Sequence, residues 1–140
     1  MFDNAFQRQL KDLARRSDLK IAELKSEAAK MLFTVSGHTQ PLYIIDYSGV
    51  WEFSCPSIIV MDDVTDIPHP VLAFVLEQNA KNKRGFWCIE TIGGKKVISY
   101  MHNVPANLLT PDEFYEICWG IVKEVEALEE AFRELIRRLL

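Results

Sequence analysis

Cysteine, histidine and positive charge are all scarce in this 140-residue sequence, and each shortage closes off a class of function. The three cysteines, Cys55, Cys88 and Cys118, are odd in number and far apart, and no Cys-x-x-Cys pair occurs. Disulfide frameworks and cysteine-based zinc sites need such pairing, so free thiols in a reducing, cytoplasmic setting are the reading. His38, His69 and His102 are scattered too, without a close carboxylate–histidine spacing, so no metal or other cofactor is expected. Sixteen Lys plus Arg against twenty Asp plus Glu leave a formal net charge of −4. That balance argues against a general nucleic-acid partner, whose phosphates are bound by concentrated positive charge. No apolar run approaches the roughly 20 residues of a spanning helix, so no membrane partner is expected. The start, "MFDNAFQRQLKDLARRSDL", lacks an uninterrupted apolar stretch behind a basic start, which argues against a secretory signal.

What is present is the composition of an ordinary globule, 49% hydrophobic and 26% charged. The length suits one domain over residues 1–140. Phe2, Phe6, Leu10 and Leu13, then Ile21, Leu24, Ala28 and Met31, recur at helical spacing, so residues 1–33 are predicted to be a helical segment. It is broken or kinked near "RRSDLK", where Ser17 or Asp18 can cap a second helix. In "QPLYIIDYSGVWEFSC", aromatic and β-branched residues flank Ser48-Gly49, which predicts a tight hairpin over 42–47 and 50–55. "SIIVMDD" extends the sheet past Pro56. Pro70 then suits the first turn of a helix whose run "VLAFVL" predicts burial.

The stretch "RGFWCIETIGGKKVISYMHNVP" poses a choice between an active site and a hairpin. "GFWCIE" and "KKVISYMHNV" read as strands joined by a turn at Gly93-Gly94. Both faces are largely apolar, so cover is expected on both sides, from helices on one and a second subunit on the other. The active-site alternative is a small thiol-dependent enzyme using Cys88 with His102 as its base. It lacks a nucleophile elbow and a third orienting group, and free cysteines are generally buried structural residues. Lys81, Lys83, Arg84, Lys95 and Lys96 bracket the hairpin. They could form a small anion-binding patch, although solvated lysines beside an edge strand are the commoner arrangement. No catalytic, cofactor or metal residue is assigned.

The last third carries the clearest pattern. "TPDE" at Thr110–Glu113 has the form of a capping box with proline at the first helical position, so a long helix over 110–138 is predicted. Phe114, Cys118, Ile121, Val125, Leu128, Phe132, Leu135 and Leu139 continue as a seam of period 3.5. Glu124, Glu126, Glu129, Glu130 and Glu134 are expected on its outside, and Arg133, Arg137 and Arg138 near its end. At 1.5 Å per residue the helix would be some 45 Å long, more than a domain of this size needs. Hence a homodimer is expected, with Trp87, Ile89, Tyr100, Phe132, Leu135 and Leu139 as candidate interface residues.

The run from Leu76 to Phe132, above all "QNAKNKRGFW" and "LTPDEFYE", resembles the YbjN-like family of bacterial proteins, described as candidate sensory transduction regulators. The resemblance covers roughly residues 40 to 135. It implies the type III secretion chaperone-like fold, an α+β arrangement of helices on an antiparallel sheet in the order α-β-β-β-α-β-β-α, and it brings no catalytic residue or cofactor. The function it suggests is a non-enzymatic, chaperone-like or regulatory module that binds a polypeptide client.

Overall fold

The computed structural model describes residues 2–140. Helix α1 (Ala5–Arg16) opens on a reciprocal cap in which Gln7 N donates to Asn4 Oδ1 and Asn4 N donates to Gln7 Oε1. It buries Phe6, Leu10 and Leu13 and ends where Asp18 turns to a φ of 55°. No second helix follows among residues 17–33. The chain forms strands β1 (Glu23–Leu24) and β2 (Ala28–Val35) instead, which corrects the helical reading of that segment. The decisive period is two: Ala29, Met31 and Phe33 are buried while Leu32 faces out. Ala28 and Met31, three apart, fit a helical pattern as well, and β-sheet partners settled the matter.

Strand β3 (His38–Tyr47) and strand β4 (Val50–Met61) flank the Ser48-Gly49 turn, where φ is 52° and 95°. Both central residues have positive φ, the twist that matches a two-residue hairpin. Helix α2 (His69–Lys81), strands β5 (Phe86–Ile92) and β6 (Lys95–Pro105), and helix α3 (Pro111–Leu139) complete the chain. One antiparallel sheet runs β1-β2-β3-β4-β6-β5. With the two-residue β1 set aside, the order is the α-β-β-β-α-β-β-α expected.

The helices lie on one face of this sheet. Trp51 and Phe53 of β4 join Phe6 of α1 and Phe114 of α3 in a chain of aromatic contacts, with ring centroids 5.1 to 6.4 Å apart. Helix α3 starts at Thr110, whose hydroxyl accepts from Glu113 N; the Glu113 carboxylate pairs outward with Arg84, so only half of the box closes. Its buried stripe runs from Phe114 to Glu129 over its own sheet, and the expected seam holds as far as Leu128. Beyond it Leu139 is 78% exposed. Helix α2 buries only Val71 and Val75 and leaves Phe74 and Leu76 exposed, so the burial predicted for its whole apolar run is not found. One face of a helix can meet the sheet, and the run exceeds one face.

Asn79 of α2 explains part of the "QNAKNKRGFW" stretch. Its Oδ1 accepts from Trp87 N at 2.6 Å and its Nδ2 donates to Trp87 O at 3.1 Å. The side chain therefore does at Trp87 what another strand would do, and it covers part of the edge of β5.

Candidate functional site

Strands β3 and β4 pair only near their shared turn, from Tyr47 with Val50 to Tyr43 with Ser54. Past that point β3 stays with β2, while β4 stays with β6 and bulges between Pro56 and Val60. The sheet is thus unzipped along part of its middle, and backbone groups there need other partners. Helix α3 supplies one of them and bridges the gap with side chains besides. Glu129 Oε2 accepts from Ile58 N at 2.9 Å, and Gln40 Nε2 donates to Glu126 and Glu129, each at 2.7 Å. His38 Nδ1 lies 2.6 Å from Glu126 Oε1, and Arg133 donates to the same oxygen at 3.1 Å. Glu126 and Glu129 are 5% and 3% exposed, which corrects their expected place outside the helix. A buried carboxylate is tolerated when it is paired and hydrogen-bonded, and both conditions hold here.

On the opposite face, which no helix covers, the same parting of the strands leaves a trough of about 660 Å³. Tyr43 and Ile45 of β3 form one wall. Ile58 and Val60 of the bulge and Ile92 of β5 contribute to the rest, with Gln40 and Glu129 reached at the bottom. Most of the surface is apolar; the charged groups are Glu52, Glu90, Glu129 and Lys95. Burial and then the charge of Glu90 push the Glu52 carboxyl above its usual range. Sequence reasoning did not find this site. Its residues are distant in the chain, and the alternation of Glu52 and Ser54 with Trp51 and Phe53 was the only local sign of an uncovered face.

The residues singled out from sequence are dispersed. Cys88 pairs in register with Ser99, and His102 lies three residues further along β6, so alternation puts them on opposite faces. They do not form a nucleophile and base. Burial, then Glu90 and Glu52, push the Cys88 thiol up to about 11, the reverse of activation. His102, held below its usual range by burial and by Arg84, belongs to the helix side.

The five basic residues form no single patch either. Arg84 binds both oxygens of Glu113 at 3.0 Å, Lys95 pairs with Asp62, and Lys96 donates to Thr91 Oγ1. The length of β5, roughly 20 Å at 3.3 Å per residue, separates Arg84 from the two lysines of the turn. Trp87 and Tyr100 are 4% and 2% exposed, packed together at 4.8 Å inside the core, and have no surface to give a partner. Ile89 and Leu139 are exposed, while Phe132 and Leu135 line a smaller groove with Pro70, Val71, Phe74 and Leu128.

Solved structures share this fold, and two of them are instructive. Over 96% of this chain and 96% of the other, it is similar to the structure of YbjN from E. coli, "a putative transcription regulator", with a TM-score of 0.65 and 11% identity. It is also similar, with a TM-score of 0.62 and 15% identity over 89% of this chain and 93% of the other, to a chain in the structure of the HopA1–SchA chaperone–effector complex. What is shared is the fold, an α+β arrangement of helices on one antiparallel sheet. No family model matches the sequence, nor does any curated protein.

Proposed function

We propose that this protein is a non-enzymatic, cytoplasmic module that binds a polypeptide client in the trough of its open sheet face, and that it works as a homodimer. The observation that carries the reading is the trough itself. An apolar hollow of about 660 Å³ on a sheet face without helices is surface left available for a partner. The likeness to a chain from a chaperone–effector complex makes a polypeptide the occupant of choice. A non-enzymatic role agrees with the separation of Cys88 from His102 and with a thiol held protonated. Free thiols at Cys55, Cys88 and Cys118 support a reducing compartment. Among the described residues no helix is long and apolar enough to cross a membrane.

The test uses a reduced, carbamidomethylated model protein that is basic overall and cannot refold. The wild-type chain should bind it and slow its aggregation. Replacing Ile58 and Val60 with Ser, both exposed in the trough, should weaken binding by about 10-fold or more, equivalent to roughly 1.4 kcal/mol, with an unchanged melting temperature. A wild-type chain that does not bind, or a variant that binds equally well, overturns the trough as a client site.

A further inference from the structure

The trough carries uncompensated charge of one sign. Glu52 on β4 and Glu90 on β5 both face it, with Ser54 donating its hydroxyl to Glu90 Oε2 at 3.3 Å. The two are close enough to act on shared surroundings: after burial, Glu90 raises the pKa of Glu52, and both raise that of Cys88. Among the described residues neither has a basic partner, since the lysine of the trough, Lys95, is taken by Asp62. Glu129 adds a third acid at the bottom, already occupied by Gln40 and Ile58 N.

Two carboxylates that repel each other on a partly desolvated apolar surface are relieved by a cation set between them. A guanidinium, with its fork of donors, can serve both. A second copy of this chain is a poor occupant, because a twofold contact through this face would bring the glutamates toward their own copies.

We propose that the trough selects client segments in which a lysine or arginine stands among apolar residues, with the cation seated between Glu52 and Glu90. This rests on the trough as a polypeptide site and adds the chemistry of the segment it takes. It also gives the charge of the face a purpose: acidic or neutral apolar segments are refused or held weakly, so the module does not bind every exposed hydrophobic chain.

Three fluorescein-labelled octapeptides separate the possibilities, with the sequence Leu-Val-Ser-Ile-Xaa-Val-Ser-Leu and Xaa as arginine, citrulline or glutamate. Fluorescence anisotropy should show the arginine peptide binding about 10-fold more tightly than its neutral citrulline counterpart, with the glutamate peptide weakest. In the E52Q/E90Q variant, checked by circular dichroism, the arginine peptide should fall to the citrulline level while citrulline binding holds. Equal binding of all three to the wild type, or a preference that survives E52Q/E90Q, overturns cation selection and leaves the trough reading standing. If no peptide binds, the polypeptide reading falls with it. Amide shifts on binding must include Glu52, Ser54 and Glu90; shifts confined to other residues also overturn the proposal.

Discussion

Glu129 occupies a position where a charged side chain has to replace a neighbouring strand. Ile58 N would otherwise face a gap where β3 and β4 have parted, and an unpaired buried N–H costs about 1 to 3 kcal/mol. Replacing Glu129 with Ala should therefore lower stability by roughly 2 to 4 kcal/mol, since Gln40 and Arg133 lose a partner as well. Glu129→Gln keeps an acceptor for Ile58 N and should cost less; urea melts of the two variants give the comparison, and equal losses would refute it. Cys88 makes a second point about burial. A thiol pushed up to about 11 from an ordinary 9.0 has roughly 100-fold less thiolate at neutral pH, so iodoacetamide should label it that much more slowly than a small free thiol. Rapid labelling of Cys88 in the native state would reopen the enzyme reading. Cys55 and Cys118, raised further by deeper burial, should label only on unfolding.

At the scale of elements, legibility followed the range of the interaction. Ser48-Gly49, Gly93-Gly94 and the Thr110 cap are local chemistry, and each could be placed from a few adjacent residues. The strand at 28–35 could not, because Ala28, Leu24 and Met31 suit a helix and only pairing with β3 selects the strand. The trough was hidden for the same reason: it needs a bulge in β4 and a glutamate from α3, far apart in sequence. Glycines show the contrast in a testable way. At Gly93 and Gly94, φ is 57° and 78° with open space around both, so substitution adds backbone strain alone. At Gly85, φ is 86° and a Cβ would lie 2.5 Å from Tyr100 Cε2 and 2.9 Å from Met101 O. Gly85→Ala should thus cost more than Gly94→Ala, whose penalty should stay near 1 kcal/mol. Thermal melts decide it: a Gly85→Ala protein as stable as Gly94→Ala would mean the backbone moves freely there.

The whole molecule leaves one apolar surface that the trough does not explain. Helix α3 outruns the sheet, and past Glu129 it presents Ile136, Leu139 and Leu140, with exposures of 41%, 78% and 99%. Beside it, Phe74 of α2 borders the groove formed with Phe132 and Leu135. On the overhang Glu130 and Glu134 precede Arg137 and Arg138 and pair with them within the helix, a charge order that an antiparallel copy would complement. Two such helices crossing head to tail would set the glutamates of one against the arginines of the other. A twofold contact of this kind would cover the overhang, leave both troughs open, and give the proposed dimer two client sites. Phe132 and Leu135 are poor probes, since they are partly buried in the single chain and their loss would disturb α2. Ile136 and Leu139 are exposed, so changing both to Glu should spare the fold while placing unpaired charge in the contact, at a cost of several kcal/mol. Light scattering should therefore find a dimer for the wild type at micromolar concentration and a monomer of unchanged melting behaviour for I136E/L139E. A monomeric wild type would refute the dimer, and a variant that stays dimeric would move the interface away from α3.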